Sequence, residues 1–192
     1  MMHKLLKHVL ISLMVLSAFV ACVSTDEMAQ ENVPNANAEA TAISAVPSPW
    51  TVDFEDGTTM GWAGNNATAD VAQNITHGGS YSMKVVSGDA GWKTVWFYNC
   101  GDKILADVPY SYSAWIYQES GQDVKFNITI KTTMSAYKGA VYGATVPSGK
   151  WTEIKSDSFV LSSDSGSPQD IYIEPQTPGT VFYVDDIAIL PK

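Results

Sequence analysis

The feature that most restricts the fold of this chain is an alternation of apolar and polar residues with a period of two. It is clearest in residues 124–131, where each Val, Phe or Ile is followed by a Lys, Asn or Thr. This period places successive side chains on opposite faces of a strand, so one face is expected to be buried. Similar segments recur between stretches rich in Gly, Pro, Asn, Asp and Ser, and no window longer than a turn has helical periodicity. The chain is therefore predicted to be all-β, with a sandwich favoured.

The predicted strands lie at residues 50–55, 68–73, 81–86, 94–98, 110–117, 124–132, 140–146, 152–160, 170–174 and 181–190.

The N-terminus resembles a secretory signal. Two lysines precede an apolar run, residues 9–20, that is too short to span a membrane as a mature helix. The run ends in Phe-Val-Ala-Cys at Cys22, which resembles a bacterial lipobox, where the Cys carries lipid after cleavage. We expect residues 1–21 to be removed and Cys22 to anchor a secreted lipoprotein at the bacterial outer surface. Ordinary signal-peptidase cleavage near Ala21 is the alternative.

The next segment, residues 22–48, is predicted to be a flexible tether. It is rich in Ala, Asn, Glu, Ser and Thr and has almost no large apolar residues, so it cannot bury enough surface to become ordered. Residues 49–192 have the length of a single domain with its own core, and we expect a monomer. Since Cys22 and Cys100 are the only cysteines, no disulfide framework is predicted. Stability must come from packing or from a metal.

The charge balance argues against nucleic acid as a partner. The chain has 20 Asp and Glu against 11 Lys and Arg, a net charge of -9, and all 11 basic residues are Lys. An acidic surface repels phosphates, and Arg supplies the commonest contacts to bases and phosphates. A neutral ligand suits this surface better.

Acidic residues cluster at both ends of the predicted domain, at residues 53–56 and at Asp185 and Asp186. In an antiparallel sandwich the first and last strands are often neighbours, so these carboxylates can meet. Oxygen ligands held close together are what Ca²⁺ requires. We therefore expect a structural calcium ion here, the alternative being strand-end charges paired with Lys.

Aromatic residues are unusually frequent, with six Trp and nine Tyr. The C–H-rich face of a pyranose packs flat on an aromatic ring, while its hydroxyls need polar partners such as Glu, Gln and Asn. In residues 112–117 the alternation places Trp115 and Tyr117 opposite Tyr112 and Ile116. One of these two sets must face outward or line a groove.

A catalytic constellation is not evident. His77 is the only histidine after residue 8, so neither a triad nor a histidine-rich zinc site can be assembled from this part of the chain. Two carboxylates can hydrolyse a glycosidic bond, but Glu174 has no obvious carboxylate partner. We therefore expect a binding module and not an enzyme.

Several short motifs follow one another along residues 50–190. They are Phe54-Glu55-Asp56-Gly57 with Gly61-Trp62, His77-Gly78-Gly79-Ser80-Tyr81-Ser82, Tyr110-Ser111-Tyr112-Ser113-Ala114-Trp115, Val146-Pro147-Ser148-Gly149-Lys150-Trp151-Thr152, Tyr172-Ile173-Glu174 and Phe182-Tyr183-Val184-Asp185-Asp186-Ile187. In this order they resemble jelly-roll carbohydrate-binding modules, most closely the xylan-binding family 22 within the group that includes families 4, 9 and 16. The resemblance implies a non-catalytic, galactose-binding-like jelly roll that binds β-linked plant polysaccharide in a cleft, with a structural Ca²⁺ elsewhere.

For the metal, the resemblance implies Glu55 and Asp185 as side-chain ligands, with Gly78 and Ser80 in the turn that adds further oxygens. Trp62, Trp115 and Trp151 are expected to have structural roles and not to contact the sugar.

For the sugar, Trp92 matches the stacking tryptophan of the family, and Tyr172 with Glu174 matches its Tyr-x-Glu pair. Tyr137 matches a tyrosine on the facing strand or loop, with Tyr142 as the alternative, and Trp96 is a further stacking candidate. The arginine that precedes the tryptophan in the family has no counterpart here, since the chain has none.

The leading hypothesis is a surface-tethered module that holds β-1,4-xylan or a related β-glucan. An adhesion or assembly module that binds a protein partner is the alternative, and a glycoside hydrolase is a weaker one.

Overall fold

Two antiparallel sheets account for most of residues 46–192, the part of the chain that the computed structural model describes. The predicted signal segment, the lipidation site Cys22 and residues 22–45 of the predicted tether lie outside the described residues. The strands are β1 (Trp50–Val52), β2 (Trp62–Gly64), β3 (Thr68–Ala72), β4 (Ser82–Val86), β5 (Val95–Tyr98), β6 (Pro109–Gln118), β7 (Val124–Thr132), β8 (Tyr137–Val146), β9 (Thr152–Val160), β10 (Pro168–Pro175) and β11 (Val181–Pro191).

Sheet I has the strand order β3-β4-β11-β6-β9, and β1 also pairs with β11; sheet II has the order β2-β5-β10-β7-β8. Two short 3₁₀ helices are present among the described residues: Cys100–Asp102 lies between β5 and β6, and Ser163–Ser165 lies between β9 and β10. The all-β jelly-roll sandwich predicted from the sequence is confirmed. Among the described residues there is no helix with the length and apolar character needed to cross a membrane.

The core lies between the sheets and follows the alternation of the sequence. On β6 every second residue is buried, so Tyr112, Ala114 and Ile116 face inward while Trp115 and Tyr117 face outward. The rings of Phe126 on sheet II and Phe182 on sheet I meet edge to face, with centroids 5.1 Å apart. Each such buried side chain stabilises the fold by roughly 1.5–3 kcal/mol.

The first strand is shorter than predicted. Strand β1 ends at Val52, and Phe54 has φ of 59°, a left-handed conformation that an extended strand cannot continue through. The amide of Gly57 donates to the carbonyl of Phe54 at 2.9 Å and closes a turn. Glu55 therefore lies in a turn directly after the strand, not within it.

Strands β2 and β8 show the largest remaining differences from the sequence prediction. Strand β2 was not predicted, because a three-residue strand is too short to show alternation. Strand β8 begins at Tyr137 and not at residue 140, so Tyr137 belongs to a paired strand.

The cysteine of the described chain is structural. Cys100 is fully buried and unpaired, and burial together with the nearby Asp170 raises the pKa of its thiol to about 12. A thiol held neutral in this way is a poor nucleophile.

Candidate functional site

An open cleft of about 640 Å³ lies on the outward face of sheet II. Five residues that the sequence singled out for ligand contact line it together. Four further residues complete the lining and were not predicted. The full set is Asn65, Trp92, Asn127, Thr129, Tyr137, Gly139, Tyr142, Tyr172 and Glu174.

The strand register explains why these side chains converge. Tyr172 and Glu174 are two residues apart on β10, so they share a face. On the neighbouring β7, Thr129 pairs with Tyr172 and Asn127 pairs with Glu174. Asn127 and Thr129 lie on the polar face of the alternating segment described above. That alternation is the sequence signal that could have identified them; Asn65 carries no comparable signal.

Tyr172 forms the base of the cleft. Its side chain is only 5% exposed, and its ring lies between Trp96 and Tyr137, with centroid separations of 5.6 and 6.3 Å. Burial, followed by the negative charge of Asp170, raises the pKa of the Tyr172 hydroxyl, so it stays protonated at neutral pH. Tyr137, in contrast, is 59% exposed and offers its ring to a ligand.

Glu174 is the acid of the cleft. Its Oε2 accepts a hydrogen bond from Oγ1 of Thr129 at 2.5 Å. Burial raises the pKa of this carboxyl, and the hydrogen bond from Thr129 partly offsets that effect. A partly buried carboxylate at the base of an open cleft can accept hydrogen bonds from ligand hydroxyls.

Trp92 stands at the edge of the cleft on a tightly held loop. The amide of Gly88 donates to the carbonyl of Lys93 at 2.7 Å, and Asn65 Nδ2 donates to the carbonyl of Trp92 at 3.3 Å. A Cβ at Gly91 would lie 2.7 Å from the carbonyl oxygen of Pro175, so only glycine allows this approach. The loop is thereby fixed beside the end of β10, and the Trp92 ring remains 55% exposed.

Tyr142 reaches the cleft because β8 is bulged. The register between β7 and β8 shifts twice, between Phe126 and Ile128 and again between Ile128 and Thr129. A bulge adds a residue to one strand and re-aims the side chains around it. Tyr142 is 82% exposed as a result. Both Tyr137 and Tyr142 line the cleft, so the two are not alternatives.

Trp96 is not part of the cleft lining. Its ring packs between Tyr172 and Tyr98, with centroids 5.6 and 5.3 Å away, and it supports the base of the cleft from the side.

The predicted metal ligands lie on sheet I, around the turn at residues 77–81. Both oxygens of Glu55 accept hydrogen bonds from the amide of Ser80, and Oε1 also accepts from the amide of Tyr81. Asp185 Oδ2 accepts from the amides of His77 and Gly78. The first strand, β1, pairs with the last strand, β11. The turn therefore contacts both Glu55, which follows β1, and Asp185, which lies in β11.

A bulge in β11 presents a second acid to the same turn. The pairing of β11 with β6 shifts between Asp185 and Ala188, and Asp186 has φ of 44°. Asp186 Oδ2 lies 2.6 Å from Nδ1 of His77. Successive residues of a regular strand point to opposite faces, so the bulge explains why both aspartates reach one turn.

The donor set around this turn is compatible with a hard cation. Asp185 is buried, and desolvation raises the pKa of its carboxyl against the lowering effect of the amides of His77, Gly78 and Asp186. None of the five ion pairs within residues 46–192 involves Glu55 or Asp185. A carboxylate has about four lone-pair sites, so its oxygens keep acceptor capacity beyond these amide bonds.

Side chains alone do not complete such a site. Among residues 46–192, no three His, Cys, Asp or Glu side chains come close enough to hold a metal ion by themselves. Any cation would need backbone carbonyls or the Ser80 hydroxyl in addition to Glu55 and Asp185. In this structure Gly78 and Ser80 contact those acids through their amides.

The aromatic residues of sheet I serve packing. The His77 ring stacks on Trp115 with centroids 3.8 Å apart, and Trp151 contacts His77 edge-on at 5.6 Å. These contacts attach the turn at residues 77–81 to the outward face of sheet I. Trp62 is buried beside Trp50.

Comparison with known proteins identifies the class of ligand. A family model for a carbohydrate-binding domain matches residues 51–180. The chain belongs to this family. The cleft of this carbohydrate-binding domain, with its exposed rings and single acid, has the composition expected of a site for a neutral sugar.

Curated relatives of the domain are much longer proteins that are named as xylanases. Endo-1,4-beta-xylanase A of Thermoanaerobacterium saccharolyticum is 33% identical over 71% of this chain, which spans 12% of that enzyme. Endo-1,4-beta-xylanase A of Thermotoga neapolitana is 28% identical over 66% of this chain, again spanning 12% of the enzyme. The chain thus matches only a small part of the length of these xylanases.

Solved structures share the fold. A CBM22-1 xylan-binding domain from Paenibacillus barcinonensis superposes with a TM-score of 0.67 at 17% identity, covering 77% of this chain and 97% of that domain. A family 22 carbohydrate-binding module of Clostridium thermocellum gives 0.65 at 16% identity, covering 72% and 91%. These likenesses show that the domain shares its fold with the family 22 modules.

Proposed function

We propose that this domain binds β-1,4-linked xylan, or a related β-glucan, in the cleft of sheet II without cleaving it. The observation that carries the proposal is the convergence of Trp92, Tyr137, Tyr142 and Glu174 on one open cleft. The similarity to domains described as xylan-binding and to xylanases supports xylan as the leading polysaccharide.

The cleft supplies two kinds of contact. The exposed rings of Trp92, Tyr137 and Tyr142 offer flat apolar surface for the C–H faces of successive sugar rings. Glu174 and Asn127 supply acceptors and donors for the hydroxyls between those faces. An open site of this kind suits an internal segment of a polymer.

Lys93 directly follows Trp92 and, with Asp89, is a candidate to replace the ligand contact of the arginine that the family has before this tryptophan. Its Nζ lies 5.4 Å from the centroid of the Trp92 ring and 2.6 Å from Oδ1 of Asp89. An ammonium is a compact donor without the planar fork of a guanidinium. We expect a single hydrogen bond from Lys93 to a ligand hydroxyl, and a choice of sugar that differs from that of arginine-bearing relatives.

A structural calcium ion and a location at the bacterial outer surface are part of the same proposal. A Ca²⁺ ion held by Glu55, Asp185 and oxygens of the turn at residues 77–81 would link the segment after β1 to β11. It would not take part in sugar binding. Lipid on Cys22 would hold the secreted domain at the bacterial outer surface, and the membrane would be contacted only through that lipid. The sequence of the N-terminal segment supports this location.

The test is affinity electrophoresis and calorimetry with xylan, mixed-linkage β-glucan and starch. Wild-type protein is expected to bind one of the two β-linked polymers and to release no reducing ends. Trp92→Ala should abolish or strongly weaken binding, whereas Val160→Ala, an exposed apolar residue at the end of β9 on sheet I, should not. Absence of binding to every polysaccharide, or equal binding by Trp92→Ala, would contradict the proposal.

A further inference from the structure

An exposed ring lies beside the cleft without lining it. Tyr98, at the end of β5, is 54% exposed, and its ring contacts Trp96 at a centroid distance of 5.3 Å. Trp96 in turn contacts Tyr172 at the base of the cleft. A continuous series of rings therefore leads from the cleft to Tyr98. An exposed tyrosine that ends such a series offers a flat surface for a sugar ring.

The strand register shows that Tyr98 lies on the same face of sheet II as the cleft. Tyr98 pairs with Asp170, Asp170 with Lys131, and Lys131 with Tyr137. These four residues form one row across β5, β10, β7 and β8. With neighbouring strands about 4.8 Å apart, the two exposed tyrosines stand roughly 14 Å apart at their backbones.

An ion pair between a partly exposed lysine and a buried aspartate separates the two tyrosines. Asp170 is fully buried, and its Oδ2 lies 3.1 Å from Nζ of Lys131. Its Oδ1 accepts a hydrogen bond from the amide of Asn99 at 3.3 Å. These contacts fix the backbone directly after Tyr98. The Lys131 ammonium has three donors, of which Asp170 uses one, so it can also donate to a hydroxyl between the rings.

A hollow of about 570 Å³ begins at Asn99, the residue after Tyr98. It lies where β5 ends, β7 ends and β10 begins, and its lining supplies amide and carboxylate groups. Such groups match the hydroxyls of a sugar. The lining residues are Asn99, Gly101, Asp102, Thr133, Pro168 and Gln169.

We propose that Tyr98 and this hollow form an additional sugar-binding subsite, which extends the cleft toward the far end of β5. The proposal rests on the function proposed above. A chain that fills only the cleft does not reach Tyr98, whereas a longer chain places one more sugar ring on Tyr98 and its hydroxyls in the hollow. The domain therefore prefers long β-linked chains to short oligosaccharides.

The experiment is calorimetry with β-1,4-linked xylo-oligosaccharides from two to eight units, or with the matching β-gluco-oligosaccharides if those are the ligands. The affinity of the wild-type protein should increase with oligosaccharide length until the cleft is filled. It should increase once more when the oligosaccharide is long enough to reach Tyr98. Tyr98→Ala should remove that later rise, a loss of about three- to tenfold for the longest ligand, and leave the affinity for the shortest bound ligand unchanged. Tyr98→Phe should retain most of the rise.

Two further variants separate the subsite from the cleft and from folding. Gln169→Ala, in the hollow, should weaken only the longest ligands, and Trp92→Ala should weaken all lengths. If Tyr98→Ala matched wild type at every length, or weakened the shortest ligand as much as the longest, the subsite would be disproved while the cleft remained. If wild-type protein bound no oligosaccharide, the subsite and the proposed function would both be overturned.

Discussion

Thr129 donates a hydrogen bond to the carboxylate of Glu174 across the pairing of β7 with β10. The two residues are diagonal neighbours, since Thr129 pairs with Tyr172 and Glu174 pairs with Asn127. The contact orients the acid of the cleft. Burial raises the pKa of Glu174, and the hydrogen bond from Thr129 lowers it. The charge state of the site is therefore set by two opposing effects.

Sugar binding should weaken as the pH falls through the raised pKa of Glu174. An ionised carboxylate accepts hydrogen bonds from ligand hydroxyls, and protonation removes part of that capacity. Calorimetry between neutral pH and about pH 4, the ordinary range for Glu, measures the change. Glu174→Gln should bind more weakly at neutral pH and should lose this pH dependence.

The stability linked to Glu174 has the opposite sign. Because the folded-state pKa of Glu174 lies above the unfolded value, the native state binds more protons between the two values. The contribution of this residue to stability is present below the unfolded pKa and is lost as the pH rises through the folded pKa. If binding weakens at low pH while thermal stability is kept, protonation of Glu174 accounts for the weaker binding. If binding and thermal stability are lost together, this explanation is contradicted.

Thr129→Val should shift that pH profile upward. Valine keeps the shape of threonine and removes the donor, so burial then acts on Glu174 without opposition. Binding should begin to weaken at a higher pH, and the free energy of unfolding should fall by about 1 kcal/mol. The matched control is Thr145→Val on an exposed part of β8. An unchanged profile in Thr129→Val would show that the hydrogen bond does not control Glu174.

Most strands of the fold could be predicted from the sequence, because alternation with a period of two is a local property of the chain. Trp92, Tyr172 and Glu174 were reached through motif resemblance, and the structure places them in one cleft. The bulges of β8 and β11 could not be predicted, since they depend on which strand lies opposite. For that reason Tyr137 and Tyr142 remained alternatives. Glu55 was assigned to a strand and not to a turn, because the alternation did not reveal the left-handed conformation of Phe54.

Calcium should raise the thermal stability of the domain. An ion that binds only the folded state stabilises it by about 2.7 kcal/mol at a concentration one hundred times its dissociation constant. Differential scanning calorimetry of metal-free protein, with and without Ca²⁺, measures this change. Glu55→Gln and Asp185→Asn should remove the response, and Glu119→Gln, an exposed acid elsewhere, should keep it. A melting temperature that does not depend on Ca²⁺ would contradict the metal assignment.

Asn127 should contribute to binding partly through Tyr142. Its Oδ1 accepts hydrogen bonds from the amide of Gly143 at 2.8 Å and from Nε2 of Gln176 at 3.1 Å, so it holds the bulge that aims Tyr142. Asn127→Ala frees the bulge, and Tyr142→Ala removes the ring that the bulge carries. If the two act through one arrangement, their effects on affinity will not add.

A double-mutant cycle measures this coupling. Residues that share one network show coupling energies of roughly 0.5–3 kcal/mol, while independent sites add to within about 0.5 kcal/mol. We expect the double variant to lose less affinity than the sum of the two single losses. The matched cycle pairs Asn127→Ala with Tyr98→Ala, because Tyr98 lies on β5 and is not held by Asn127, and that cycle should be additive. Additivity in both cycles would mean that Asn127 contacts the ligand without positioning Tyr142.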